Sequence, residues 1–244
     1  MWLTVEKTNT ASVTLNVVSC FKDESILEVV ILRAIPDLTG DQYDVLLPLV
    51  SSEKQKQINQ LCFFQDKQNA LLGDILARTE ICRITGLSNS QLEFAVNPYG
   101  KPFLANNLQI HHNIAHTDQH IACVIGEVSV GIDIERIRPI DMKIVERFFV
   151  SEEKNYILSA QSDLRNKRFF EVWTKKESRI KLEGKRLLES LSAFNVLTLE
   201  PGIFYHCVYN NGETIGHMCS SHKESPLIKE IDTTTLLQYA SLLK

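Results

Sequence analysis

The sequence lacks any compact arrangement of cysteines. Its 244 residues include six cysteines, and no two of them form a CxxC pair. The six are Cys20, Cys62, Cys82, Cys123, Cys207 and Cys219. Scattered cysteines in a chain of this length are typical of reduced core thiols in a cytosolic protein, and they argue against a disulfide framework.

Long apolar runs and a strong charge of one sign are also absent. The first residues, MWLTVEKTNT, have no apolar signal-peptide region, and no window of the sequence approaches the length of a membrane span. The net charge of −4 is too small for a nucleic-acid binder held by overall charge. We therefore expect a soluble, cytoplasmic protein without a membrane or nucleic-acid partner. Basic residues do concentrate between Lys143 and Arg186, where they suit an anionic ligand.

Two parts of the sequence resemble each other. VSSEKQKQI begins at Val50 and VSEEKNYIL begins at Val150, and a second pair of similar segments follows each. Each copy predicts a strand, a helix that starts at a serine and an acid, a longer amphipathic helix and further strands. The offset is too long for a solenoid and indicates a duplicated half-domain. We predict an α+β fold made of a pseudo-two-fold pair of similar α/β half-domains, residues 1–108 and 109–244, with the active site in the cleft between them.

Turn residues separate several other predicted strands. LEFAVNPYGKPFL predicts a strand, a turn at Pro98 and Gly100, and a second strand. IFYHCVYNNGETIGHMCS predicts a hairpin around Gly212, and SAFNVLTL predicts one more strand.

The segment VSVGIDIERIRPID carries two acids on one predicted strand. Alternation of side chains places Val130, Ile132 and Ile134 on the core face. Asp133 and Glu135 then share the other face, about 7 Å apart. Gly131 lies on that face as well and lets another group approach the backbone closely. The acids either face solvent or hold a ligand between them.

A helix about forty residues further on carries a third acid. In FFEVWTKKESRIKLEG, apolar residues at helical spacing predict a core face. Glu177 and Lys181 are four residues apart and share a face, which alone fits an exposed ion pair worth about 0.3–0.5 kcal/mol. Three carboxylates that converge from a strand and a helix would instead form a hard oxygen site for Mg²⁺, an ion that favours carboxylates, water and substrate phosphates.

These two segments together resemble the signature of the 4′-phosphopantetheinyl transferases. VGIDIE matches the Gly-x-Asp-x-Glu strand of that family, and WTKKESRIK matches its Trp-(Ser/Thr)-x-Lys-Glu helix. YGKPFL, HHNIAHT and RFFVSEE resemble three further family segments, in order and with compatible spacing. The length and two-half organisation resemble the larger, monomeric type that activates surfactin synthetase.

The resemblance implies an activity. Such an enzyme moves the 4′-phosphopantetheine arm of coenzyme A to a serine of an acyl- or peptidyl-carrier protein and releases 3′,5′-ADP. Asp133, Glu135 and Glu177 would bind Mg²⁺, or Mn²⁺, at the pyrophosphate. Glu177 or Glu153 would take the serine proton, and Lys181 would contact a phosphate oxygen. Peptide, polyketide and fatty-acid synthases are all possible sources of the carrier protein.

The resemblance also assigns residues of the first half to coenzyme A. Lys101 and His116 would contact its phosphates, and Lys54 stands where the family places a basic residue for the 3′-phosphate. A zinc site at HHNIAH is disfavoured, because the HExxH spacing is absent and no cysteine is nearby. Asn69 and Ala70 replace an arginine and a hydroxyl residue that relatives often carry, which predicts a weaker hold on the 3′-phosphate.

Two other functions use the same residues. A non-catalytic module that binds carrier proteins has no need of three converging acids. A metal-dependent nucleotide phosphohydrolase would use similar acids without an acceptor protein. Strict dependence on an acceptor separates the transferase from the hydrolase.

Overall fold

The computed structural model describes residues 26–33, 35–106, 109–185 and 191–243. Within these ranges the chain forms a mixed α/β fold of nine strands and seven α-helices. The strands are β1 (Leu27–Arg33), β2 (Phe94–Val96), β3 (Pro102–Leu104), β4 (His111–His116), β5 (His120–Gly126), β6 (Val130–Arg136), β7 (Phe204–Asn210), β8 (Thr214–Ser220) and β9 (Leu227–Ile231). The helices are α1 (Gly40–Leu46), α2 (Ser52–Gln60), α3 (Phe64–Thr85), α4 (Lys143–Phe148), α5 (Ser151–Leu158), α6 (Ser162–Glu183) and α7 (Thr233–Ala240).

Two larger sheets form the centre of the fold. One has the strand order β4-β5-β1-β9, and the other has the order β6-β8-β7. Apolar side chains from both sheets pack between them, including Val29, Val124 and Ile132. Helix α3 covers the outer face of the first sheet through a second apolar cluster, and α6 packs on β6 and β8 of the other. The site-bearing strand β6 is thus enclosed by a sheet on one side and a helix on the other.

The elements predicted from the two similar segments are present. Helices α3 and α6 each have 22 residues, and each ends at a glycine in the left-handed region, Gly86 (φ 71°) and Gly184 (φ 64°). The backbone N–H of Lys54 donates to the Ser51 side chain and caps α2. The second copy differs by one position, since Ser151 lies inside α5 and the Glu153 carboxylate accepts the backbone N–H of Val150.

The remaining strand predictions give mixed results. LEFAVNPYGKPFL forms the antiparallel pair β2 and β3, and the hairpin around Gly212 forms β7 and β8. The prediction of a strand in SAFNVLTL is wrong, because residues 192–199 form turns, bends and irregular loop. Backbone groups here bind side chains instead of a neighbouring strand: Phe194 O accepts from Lys176, and Val196 N donates to Glu153.

The predicted half-domain boundary stays a prediction. Residues 107 and 108 lie outside the described residues, as do residue 1 and residue 244 at the outer ends of the two predicted ranges. The four-stranded sheet joins β1, from before this boundary, to β4, β5 and β9, from after it. Among the described residues, no helix is both long and apolar enough to span a membrane.

Candidate active site

The three predicted carboxylates converge. Ligand oxygens of Asp133 and Glu135, on β6, and of Glu177, on α6, all lie within 4.8 Å of one another. Two oxygens on opposite sides of one Mg²⁺ lie about 4.2 Å apart, so small side-chain adjustments bring this set onto a single ion. Asp133 is 4% exposed, and its Oδ2 is buried without a hydrogen-bond partner. An all-oxygen set with one unpartnered carboxylate oxygen fits a hard divalent cation.

Gly131 brings the helix to the strand. A β-carbon at this position would lie 2.0 Å from the carbonyl oxygen of Ser178 and 2.3 Å from the backbone nitrogen of Leu182. The predicted close approach is therefore made by the backbone of α6. Because α6 lies directly on β6, Glu177 and Lys181 reach the same side of the strand as Asp133.

Lys181 joins the two elements electrostatically. Its Nζ lies 2.7 Å from Asp133 Oδ1 and 3.8 Å from Glu177 Oε2. Burial acts to lower the pKa of Lys181, but the adjacent charges of Asp133 and Glu177 raise it above its ordinary value. The lysine is therefore charged, and its nearest partner is the aspartate on the strand rather than the glutamate on its own helix.

The carboxylates are crowded. Burial and the neighbouring charge of Asp133 raise the pKa of Glu177 to about 8. Burial likewise raises the pKa of Asp133, with Lys181 acting in the opposite direction. It also raises the pKa of Glu135, where Asp133 adds to the effect. A bound cation would relieve this repulsion, because opposite charge favours the ionised carboxylates.

His116, on β4, and Lys54, on α2, lie near the carboxylate cluster. His116 is the last residue of β4, and desolvation followed by the charge of Lys181 lowers its pKa. The charges of Lys54 and Asp133 act on the same imidazole, which brings helix α2, strand β4 and the carboxylates to one region. The Nζ of Lys54 also lies 3.9 Å from Asp74.

Lys101 has a more constrained position than the resemblance implies. Its Nζ donates to the carbonyl oxygens of Val130 and Leu182, both at 3.1 Å. Burial lowers its pKa to about 8. The residue lines a groove of about 210 Å³ together with Asn113 and Lys181. Two of its three protons are thus engaged, and one remains for a ligand in the groove.

Glu153 is held away from solvent in a separate ion pair. Its side chain and that of Lys176 are both 0% exposed, and their charged atoms are 2.9 Å apart. Its second oxygen accepts the backbone N–H of Val196. Lys176 also donates to the carbonyl oxygens of Leu191 and Phe194 at 2.6 and 2.7 Å. Every group of this pair has a partner, so the pair ties α5, α6 and the 191–196 loop together.

We expect Glu153→Gln to destabilise the protein strongly. The change leaves the buried Lys176 without its counter-charge, a loss that costs about 3–5 kcal/mol. Urea unfolding measures this free energy, and Glu152→Gln, at an exposed neighbour on the same helix, should change it by less than about 0.5 kcal/mol. Normal stability combined with lost activity in Glu153→Gln would instead indicate a chemical role for Glu153.

Two important residues were missed by the sequence reasoning. Asn113 Oδ1 accepts the backbone N–H of Ile132 at 2.9 Å, which links β4 directly to β6. Its signal is an amide side chain directly before the apolar residues Ile114 and Ala115 of the same strand. Lys176 is four residues from both Val172 and Ile180 and therefore lies on the core face of α6. A charged residue on a core face indicates that a buried partner neutralises it.

Comparison with known proteins identifies the family. The family model described as "4'-phosphopantetheinyl transferase, N-terminal" matches residues 37–128, and the one described as "4'-phosphopantetheinyl transferase superfamily" matches residues 129–234. The chain belongs to the 4′-phosphopantetheinyl transferases, enzymes that transfer the phosphopantetheine group to carrier proteins. The family that the motifs indicated is thereby confirmed.

Several relatives are similar over most of the chain. The 4′-phosphopantetheinyl transferase gsp of Aneurinibacillus migulanus is 35% identical over 169 residues, which cover 69% of this chain and 70% of the relative. The 4′-phosphopantetheinyl transferase Sfp of Bacillus subtilis (strain 168) is 33% identical over 165 residues, or 68% and 74% of the two chains. The 4′-phosphopantetheinyl transferase HetI of a Nostoc species is 26% identical over 163 residues.

Proposed function

We propose that this enzyme transfers 4′-phosphopantetheine from coenzyme A to a serine of an acyl- or peptidyl-carrier protein with Mg²⁺ at the carboxylate cluster. The observation that supports this most directly is the convergence of Asp133, Glu135 and Glu177, which each bring a carboxylate oxygen within 4.8 Å of the others, while Oδ2 of Asp133 is buried without a partner. Bound there, Mg²⁺ or Mn²⁺ would stabilise charge on the pyrophosphate oxygens. Asp133, Glu135 and Glu177 would be its protein ligands.

Glu177 is the proposed general base. The serine hydroxyl attacks the β-phosphorus, the bond from that phosphorus to the bridging oxygen breaks, and 3′,5′-ADP leaves. The serine proton passes to a carboxylate at the site. Glu153 was the alternative candidate, but it is fully buried and bound to Lys176, so a serine cannot reach it. Glu177 keeps part of its side chain accessible.

Basic residues would hold the phosphates of coenzyme A. Lys181 is proposed to bind a phosphate oxygen while Asp133 keeps its ammonium group in place. His116, Lys54 and the remaining proton of Lys101 are proposed to contact the other phosphates. These assignments rest on the family resemblance, on the influence of Lys54 and Lys181 on the His116 imidazole, and on the groove that Lys101 lines together with Lys181.

We further propose the organisation of the chain around this site. Two similar halves related by a pseudo-two-fold axis are supported by the equal lengths and matching glycine ends of α3 and α6. The proposed halves are residues 1–108 and 109–244, and the two family models match residues 37–128 and 129–234. We propose that the protein is a monomer, because one chain supplies both halves. We also propose that it is cytoplasmic, because its cysteines are scattered along the sequence without the spacing of a disulfide framework.

The test is the intact mass of an apo carrier protein after incubation with this enzyme, coenzyme A and Mg²⁺. We expect a gain of one phosphopantetheine group that disappears when EDTA is added. Hydrolysis of coenzyme A without transfer to the acceptor would support a phosphohydrolase instead. No gain with carrier proteins from peptide, polyketide and fatty-acid synthases would support a non-catalytic binding module.

Lys181→Ala should lower kcat by about 100-fold or more, because the proposed charge-assisted hydrogen bond to phosphate is lost in a partly buried site. The mass assay with saturating coenzyme A measures this change. Lys167→Ala, at an exposed lysine near the start of the same helix, serves as the matched control. Equal kinetics for both variants would place Lys181 in an ion pair without a chemical role.

A further inference from the structure

A buried histidine and threonine meet behind the carboxylate cluster. His217 lies on β8 and is 3% exposed, and Thr174 lies on α6 and is 0% exposed. Thr174 Oγ1 is 2.7 Å from His217 Nδ1. Neither the proposed chemistry nor the fold of either element alone requires a polar contact here, since an apolar pair would also fill the space.

The donors and acceptors of this contact can be assigned. Thr174 Oγ1 also lies 2.7 Å from the carbonyl oxygen of Phe170. A carbonyl oxygen only accepts, so the single hydroxyl proton of Thr174 is used there. His217 Nδ1 must then carry a proton and donate it to the threonine oxygen. Burial lowers the pKa of His217 to about 3, so the ring is neutral with its lone pair on Nε2.

The contact lies next to the ligands on both elements. In the antiparallel pairing of β6 and β8, Asp133 is directly opposite His217, and such partners share one face of a sheet. Thr174 precedes Glu177 by three residues, which places the two side chains on adjacent turns of one face of α6. One hydrogen bond therefore connects a neighbour of Asp133 to a neighbour of Glu177.

We propose that the His217–Thr174 hydrogen bond positions α6 on the sheet, so that Glu177 and Lys181 meet Asp133 in the geometry that transfer requires. The contact at Gly131 sets how closely the helix approaches the strand, and the Lys181–Asp133 ion pair joins the two elements one turn after Glu177. The directional hydrogen bond of Thr174 fixes the helix on the sheet one turn before Glu177. His217 and Thr174 are positioning residues, and this inference rests on the proposed metal-dependent transfer.

Two variants at Thr174 separate the hydrogen bond from packing. Thr174→Val keeps the shape and removes the hydroxyl, whereas Thr174→Ser keeps the hydroxyl. Tyr209→Phe is the matched control, because it removes a second histidine–hydroxyl bond, which joins Tyr209 of this sheet to His120 of the other sheet at 3.0 Å. Tyr209 packs against the apolar cluster between the two sheets, so this bond lies between the sheets rather than beneath α6.

Transfer kinetics, melting temperature and Mn²⁺ binding should be measured for each variant. We expect Thr174→Val to raise the half-saturating Mg²⁺ concentration about tenfold and to lower kcat about tenfold, since small misplacements of reacting groups are costly. Binding of Mn²⁺ alone, followed by electron paramagnetic resonance, should weaken in parallel. Thr174→Ser should stay within about twofold of the wild type. Tyr209→Phe should lower the melting temperature without changing the half-saturating Mg²⁺ concentration or the affinity for Mn²⁺.

Two results would overturn the inference. Metal and kinetic values in Thr174→Val that equal those of the wild type would remove any positioning role. Equal changes in metal binding and kinetics in Thr174→Val and Tyr209→Phe would show that the His217–Thr174 bond contributes only to the overall stability of the protein. Both outcomes leave the proposed function intact, since the wild-type enzyme still transfers. Failure of the wild-type protein to transfer or to bind Mn²⁺ would instead reject the proposed function, and the inference with it.

Discussion

Asp133→Asn is expected to abolish transfer while the protein stays folded. Asp133 holds Lys181 through Oδ1, its Oδ2 has no hydrogen-bond partner, and its carboxylate lies in one cluster with those of Glu135 and Glu177. Asparagine has nearly the same shape but carries no charge, so it neither attracts a cation nor holds the lysine as firmly. We expect a loss of about 1,000-fold or more in kcat, equal to about 4 kcal/mol of transition-state stabilisation.

The mass assay and a melting curve together test this expectation. Asp37→Asn removes one negative charge at an exposed position and should retain full activity, which controls for the change in overall charge. Circular dichroism should show the same helix content in both variants. Activity of Asp133→Asn above a tenth of the wild-type level would exclude Asp133 from the metal site.

Gly131→Ala is the second change with a large expected effect. The new methyl group would overlap the backbone of α6 at Ser178 and Leu182, and backbone cannot move aside as a flexible side chain does. The helix must shift away from β6, which we expect to cost about 3 kcal/mol of stability or more. A displacement near 1 Å also separates Glu177 from Asp133 and lowers transfer about 100-fold in the folded fraction.

Gly40→Ala provides the comparison for this variant. An added β-carbon at Gly40 has open space around it, so stability and transfer should match the wild type. Chemical denaturation gives the free energies of unfolding, and assays well below the denaturation midpoint give the activity of folded protein. Wild-type stability in Gly131→Ala would mean that the backbone of α6 does not pack against Gly131 as closely as described.

The sequence allowed the main elements and the carboxylates to be predicted because their signals are periodic. Alternation along β6 separates Ile132 from Asp133, and the spacing of α6 brings Glu177 and Lys181 to one face. The sequence pattern does not reveal which distant residues pack on a predicted face, because these partners leave no periodic signal near it. Glu153 was for that reason a candidate base, although the structure buries it against Lys176.

The wrong strand at residues 192–199 has a related cause. Its composition fits a strand, but two buried charged side chains from α5 and α6 bind its backbone, and such long-range partners leave no local pattern. Lys101 shows the same limit. The Gly-Lys-Pro turn was predicted, yet the two carbonyl groups that its ammonium group contacts come from β6 and from the end of α6, more than 25 residues away.

The position of Trp173 gives the enzyme a built-in optical signal. Its indole stacks on Phe169, with ring centroids 5.5 Å apart, and it lies four residues before Glu177 on α6, so the two side chains are neighbours on the helix. The only other tryptophan in the sequence is Trp2, and a Trp2→Phe variant would leave a single emitter. Its fluorescence would then report a change of charge at Glu177 in real time, so that the arrival of a cation could be followed without a label or an acceptor protein.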